Sequence, residues 1–311
     1  MNNYLEESLR RGPIENVVPI DWERYEAILE RLKNEPPIPS VSSGLAGLDA
    51  IIGGFETGRL YVLSAPTKQG KTRLSQTFMF NMARQGIPTG MFSYEMGLRE
   101  TIQTFREMQE STGASITIPI YFPIELHRGG DELHYRWLLE AMMKARDEHG
   151  IKFFVIDHLH YLIPLKETHN TSFVIGGVMR ELKRISVILN VTILLIAHVG
   201  MIKDDRVPTH DDIRDSSFIA QEADVILMMY RIKNKEAAKR VQDESDVDIF
   251  TRKAILSVEL DRKKGLSGKI KLWHNGVMFV PYQDQDKIEE ALKTAQYVRS
   301  RQDNSAVIPQ F

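Results

Sequence analysis

Residues 65–72 read Ala65-Pro66-Thr67-Lys68-Gln69-Gly70-Lys71-Thr72, one glycine short of the pattern G-x-x-x-x-G-K-[ST]. The apolar run Leu60-Tyr61-Val62-Leu63 leads into this stretch and a helical pattern leaves it, the context a phosphate-binding loop requires. Backbone N–H groups of such a loop, with the positive end of the helix dipole, hold phosphate oxygens. Lys71 would reach the terminal phosphates and Thr72 would place its hydroxyl on magnesium. Pro66, Thr67, Lys68, Gln69, Gly70 and Arg73 would complete the cradle. Ala65 gives up only the positive φ that glycine permits, and the amides that meet phosphate come later in the loop.

Three further residues sit where strands should end. Asp157 closes Phe153-Phe154-Val155-Ile156, and an aspartate there orients magnesium through water in nucleotide-hydrolysing folds, on a strand expected beside the loop strand. Glu95 follows Met91-Phe92-Ser93 and could polarise a water facing the γ-phosphate; the competing reading is a surface glutamate at a helix start. His198 follows Thr192–Ala197 and could sense the γ-phosphate by a hydrogen bond. His158 and His160 are neighbours in sequence, but no acidic or histidine partner at zinc spacing accompanies them, so the expectation is no zinc site.

The elements that must position these groups alternate. Short apolar strands at Leu60–Leu63, Met91–Ser93, Phe153–Ile156, Thr192–Ala197 and Val225–Met229 are separated by helical spacing. That spacing is seen at Leu74, Phe78 and Met82, at Leu98, Ile102 and Phe105, and at Val178, Leu182 and Ile185. Such alternation predicts an α/β fold, a mainly parallel sheet with helices on both faces. Ala254–Glu259, Lys269–Trp273 and Val277–Val280 have only short turns between them and are expected as antiparallel strands at the C-terminal edge. Residues 1–40 form an N-terminal arm, 41–283 the main domain and 284–311 a terminal helix and tail. In the arm, Trp22, Tyr25, Ile28, Leu29 and Leu32 share one face of a short helix that must pack on its own domain or on a neighbouring subunit.

The 311 residues carry 40 basic and 42 acidic side chains, a net charge of -2, and no cysteine. Disulfides and thiolate metal sites are excluded. No run approaches the roughly 18 apolar residues of a membrane span, and no secretory signal opens the chain; a cytoplasmic, membrane-independent protein is the expectation. The charge balance argues against nucleic acid over the whole surface, while leaving room for a local basic channel.

The segments SSGLAGLDAIIGGFETGRLYVLSAPTKQGKT, FSYEM, FFVIDHLHYL, IAHVG and DDIRDSSFIAQEADVILMMYR together resemble the motor domain of DnaB-like replicative helicases across residues 41–283. Alanine at the start of the phosphate loop is usual in that family. The resemblance implies a RecA-like P-loop ATPase core, assembled as a homo-hexameric ring around single-stranded DNA and driven by ATP (or another NTP) with Mg2+. By matching positions it makes Lys71, Glu95, His198 and Arg262 catalytic, with Glu95 the base. Thr72 and Asp157 become the metal residues, and Arg231 a neighbour of the nucleotide base. Histidine at the sensor position is similar to phage helicase–primases and mitochondrial Twinkle. Arg214, with Asp215, Ser216 and Ser217, matches a loop lining the DNA channel; an ion pair of Arg214 with Asp212 or Asp215 is the rival reading. Arg262 matches an arginine finger, although Leu260 stands where a lysine is usual, so Lys263 or Lys264 would supply the second cation; a solvated basic turn is the alternative. The front of the chain is short for a collar or primase domain, which implies a separate primase or loader. A RecA- or RadA-type strand-exchange ATPase and a KaiC-like regulatory ATPase are the alternative functions.

Overall fold

The computed structural model describes residues 39–116, 120–123, 132–163, 171–199, 207–213, 216–233 and 250–282, with Glu26 and Glu30; residues 132–135, 171–173 and 216 are described by backbone alone. The chain divides into two compact units, Met1–Ile38 and Pro39–Phe311. Within the first, Glu26 and Glu30 are helical and exposed; the apolar stripe expected from Trp22 to Leu32 lies outside the described residues, as does the terminal helix expected from residue 284.

In the second unit the strands are β1 (Ser40–Val41), β2 (Phe55–Glu56), β3 (Leu60–Ala65), β4 (Thr89–Ser93), β5 (Ile120–Tyr121), β6 (Phe153–Asp157), β7 (Thr192–His198), β8 (Val225–Lys233), β9 (Phe250–Asp261), β10 (Gly268–His274) and β11 (Phe279–Pro281). The helices are α1 (Ala46–Ile52), α2 (Lys71–Arg84), α3 (Leu98–Thr112), α4 (Glu132–His149), α5 (Thr171–Leu189) and α6 (Ser216–Glu222). Among the described residues, nine strands form one sheet in the order β11-β10-β9-β8-β3-β7-β6-β4-β5. β8, β3, β7, β6, β4 and β5 are parallel, and β9, β10 and β11 add on antiparallel.

The central strands are mostly apolar on both faces, because both faces are covered. Tyr61, Leu63, Val155, Leu194, Ile196 and Leu227 face one core with Leu74, Phe78 and Met82 of α2 and Phe105 and Met108 of α3. Their alternates Leu60, Val62, Phe154, Ile156, Ile193 and Leu195 face the other, with Leu138 and Met142 of α4 and Val178, Leu182 and Ile185 of α5. Each fully buried aliphatic side chain contributes roughly 1.5–3 kcal/mol, so the two cores fix the strand register and, with it, which residues stand at the carboxyl edge.

Two expectations need correction. The Asp157 strand does not neighbour the loop strand: β7 lies between β3 and β6, pairing with both. Strand order is set by which crossover packs where, and no local pattern in β6 encodes it. The last strand is Phe279–Pro281 rather than Val277–Val280, because Asn275 Oδ1 accepts the N–H groups of Val277 and Met278 at 3.0 and 2.8 Å and holds them in the turn.

Candidate active site

The parallel strands deliver their carboxyl ends to one edge, and the chemistry collects there. β3 runs through Ala65, whose backbone is still in register with His198 of β7. This explains why alanine suffices: the loop turns later, at Lys68 (φ 62°) and Gly70 (φ 95°). Gly70 needs to be glycine twice over, since a Cβ there would also stand 3.1 Å from the Phe279 ring. Pro66 is half-buried, Thr67 and Lys68 are exposed, and Gln69 is buried. Gln69 Oε1 accepts the Arg231 backbone N–H at 2.6 Å, tying the loop to the end of β8. Arg73 lies 3.9 Å from Glu107.

Lys71 opens α2 and is buried; its ammonium donates to the carbonyls of Ala65 at 3.0 Å and Pro66 at 3.3 Å. Burial pushes it down to about 8, against the opposing pull of Asp157 and Glu95. Thr72 donates its hydroxyl to Asp157 Oδ2 at 2.7 Å. The loop thus reaches across the end of β7 to the next strand but one, which is why the intervening strand does not separate the pair. Asp157 is fully buried, and burial raises its carboxyl to about 6 although the Thr72 bond works the other way. Among the described residues its Oδ1 has no hydrogen-bond partner. A buried carboxylate oxygen left unpaired is costly, and beside the Thr72 hydroxyl it is the donor pair a magnesium ion takes. The residues present therefore fit that ion.

Glu95 is exposed one residue beyond Tyr94, whose N–H donates to the Asp157 carbonyl at 2.8 Å. Its Oε2 is 3.7 Å from His158 Nε2. His198 is half-buried with its ring centroid 4.3 Å from that of His158. Burial is the main reason both imidazoles sit near 4, with Lys71 adding to it, so both are neutral at pH 7 and can each donate one hydrogen bond. At the histidines, Glu95, His158 and His198 converge to within 4.8 Å, a grouping able to hold a metal ion. Sequence spacing could not reveal this, because the three come from the ends of β4, β6 and β7.

Arg231 is the seventh residue of β8, beside the loop, and its guanidinium donates to the Thr251 carbonyl at 2.9 and 3.2 Å. Arg262 lies elsewhere. Its N–H donates to the Asp224 carbonyl, and Asp224 N–H to the Leu60 carbonyl, so it stands level with the start of β3. The loop begins five residues on, roughly 16 Å away at the rise of a strand; Arg262 cannot serve its own loop. Its guanidinium is held by the Ala223 carbonyl at 2.7 Å and by the Ala220 carbonyl at the end of α6. Lys263 is bound to Glu56 at 2.9 Å. Arg214 and Asp215, with the Ser216 side chain, lie outside the described residues; Ser217 is exposed in α6.

A relative, the replicative DNA helicase DnaB of Treponema pallidum (strain Nichols), is 25% identical over 248 residues, 71% of this chain and 54% of that protein. The chain spans about half the length of the curated relatives it matches. A solved DnaB-like replicative helicase, described with its interactions with primase, superposes with a TM-score of 0.64 at 19% identity over 90% of this chain and 70% of that one. A KaiC-like protein of Pyrococcus horikoshii reaches 0.54 at 18% identity, over 79% of this chain and 100% of that one. The core is an α/β RecA-like fold. The family model of the DnaB-like helicase C terminal domain matches residues 40–116 and 128–279, and the chain belongs to that family.

Proposed function

We propose that the protein is an ATP-driven DNA helicase motor that works as a homo-hexameric ring on single-stranded DNA. The observation that carries this reading is the gathering of Lys71, Thr72, Asp157, Glu95 and His198 at one sheet edge, in a chain of this family. Lys71 exchanges its two carbonyl partners for phosphate oxygens. Thr72 and Asp157 would hold Mg2+, whose charge would offset that of the phosphates. Glu95 accepts the proton of the attacking water, and His198 donates to a γ-phosphate oxygen. Arg231 sits on the base side. A strand-exchange ATPase would share this site but assemble as open filaments, and the KaiC-like likeness is the weaker of the structural ones. Among the described residues no helix is long and apolar enough to cross a membrane; action in the cytoplasm, with a separate primase or loader, belongs to the same proposal.

Nucleotide state reaches DNA through backbone. Val199, next to His198, forms an antiparallel bridge with Ile213, the residue before Arg214, which we assign to the channel wall with Asp215, Ser216 and Ser217. A slightly acidic chain must bind DNA through a small set of phosphate contacts, and these carry no base information. Arg214→Ala is therefore expected to weaken single-stranded DNA binding equally for poly-dT and mixed sequences and to flatten the salt dependence. Basal ATP turnover should survive while DNA stimulation is blunted. Fluorescence anisotropy over a salt series checks this; an unchanged affinity and slope would remove the loop from DNA contact.

The Lys71 shift sets a pH window. With no nucleotide bound, its ammonium deprotonates as pH rises through about 8, whereas phosphate oxygens stabilise the charged form. ATP binding above about pH 8 therefore takes up a proton, and affinity falls with further rise by up to about tenfold per pH unit. Calorimetry at alkaline pH in buffers of different ionisation heat should show this uptake. Binding heats that do not depend on the buffer there would contradict it.

A further inference from the structure

We propose that Glu95, His158 and His198 form a binding site for a divalent transition-metal ion of the zinc type, and that its occupation arrests turnover. The arrest, though not the binding, rests on the reading of Glu95 as the base. One ligand atom from each residue lies within 4.8 Å of the other two. Zinc takes imidazole nitrogen and carboxylate oxygen at about 2.0–2.2 Å in a tetrahedral array, which sets neighbouring ligand atoms roughly 3.3 Å apart. The contact between His158 Nε2 and Glu95 Oε2, 3.7 Å, is already near that value. Glu95, whose side chain is 51% exposed, can move to complete the contraction. The two rings cross at 83° instead of stacking, and His158 is braced against Tyr161 with centroids 4.8 Å apart.

The donor set differs from the Thr72–Asp157 pair in kind. Two imidazoles and one carboxylate suit zinc, cobalt or nickel, whereas hydroxyl and carboxylate oxygens suit magnesium. Lys71 faces the cluster as a cation, and the carboxylates of Asp157 and Glu95 offset it. In the metal-free chain His158 Nδ1 accepts the His160 N–H at 3.3 Å, which leaves the neutral ring's proton on Nε2. Coordination through Nε2 moves that proton to Nδ1 and gives up this long bond, with no net proton released by His158. Once bound, the metal takes the lone pairs of Glu95 that would accept a proton from water. It also fixes His198 away from the γ-phosphate.

The test uses untagged full-length protein without nucleotide, titrated with Co2+ and followed by visible absorption. Bands of a tetrahedral nitrogen–oxygen site are expected, displaced by Zn2+. His158→Asn keeps a side-chain acceptor for the His160 N–H but removes Nε2. It should weaken Co2+ binding at least tenfold while thermal melting shows a folded protein, and His198→Gln should do the same. Zn2+ should stop ATP hydrolysis in saturating Mg2+, and a zinc-selective chelator should restore it. Absence of bands in wild type, or bands unchanged in both histidine variants, overturns the site. Bands present and lost in the variants, in a protein whose ATPase ignores Zn2+, keep the site and overturn the arrest. A Glu95→Gln protein that loses the bands yet still turns over ATP would refute Glu95 as the base while leaving the metal site standing.

Discussion

Arg262→Ala is expected to slow ATP turnover by about 10³–10⁵-fold while leaving nucleotide binding nearly intact. The reason is positional. Arg262 is level with the start of β3, bonded through Asp224 to Leu60, and the loop lies at the strand's far end, so a finger role requires the loop of a neighbouring subunit. Its guanidinium rests on the carbonyls of Ala220 and Ala223 and must leave them to engage. The same geometry predicts complementation. Mixing Arg262→Ala with Lys71→Ala protein creates interfaces that pair an intact loop with an intact finger, and part of the ATPase should return. If proven mixed assemblies recover nothing, Arg262 is a helix-capping arginine and the finger is elsewhere.

Glu95→Gln is expected to cut ATP hydrolysis by about 10²–10⁴-fold with ATP affinity retained. An amide of the same shape cannot take the water's proton, and the hydrogen bonds of Lys71, Thr72 and Asp157, which would hold the nucleotide and its metal, go to other groups. Single-turnover hydrolysis with separately measured ATP binding distinguishes the two effects. Equal turnover in wild type and variant would leave Glu95 as a surface glutamate at the start of α3.

Much of the fold and of the site is legible in the sequence, and the reason is local. β3, β6, β7 and β8 are covered on both faces, so they read as apolar runs, Leu60–Leu63, Phe153–Ile156, Ile193–Ala197 and Val225–Tyr230, that lead to the loop, Asp157, His198 and Arg231. The helical spacing of α2 and α5 is equally direct. What stayed hidden depends on tertiary arrangement. β5 and the β1–β2 pair are two-residue strands with no periodicity to read. α4 is not among the helices expected from the sequence, although its buried Leu138 and Met142 stand four residues apart, at helical spacing. The placement of β7 between β3 and β6 follows from crossover packing, and with it the convergence of His158 with Glu95 and His198. Arg262 was visible as a cation in a turn, but its distance from its own loop appears only from the antiparallel pairing of β9 with β8.

The claim that this site drives a motor on DNA is tested most directly by unwinding of a forked duplex, run with each strand tailed in turn, using wild type and Glu95→Gln under identical Mg2+ and salt. Wild type with ATP should separate the strands from one tail polarity only, as expected of a ring that tracks a single strand. Glu95→Gln should bind the same fork and leave it paired. Strand separation that is indifferent to ATP or undiminished in Glu95→Gln, or no separation by a wild-type protein that hydrolyses ATP on that fork, would contradict the account.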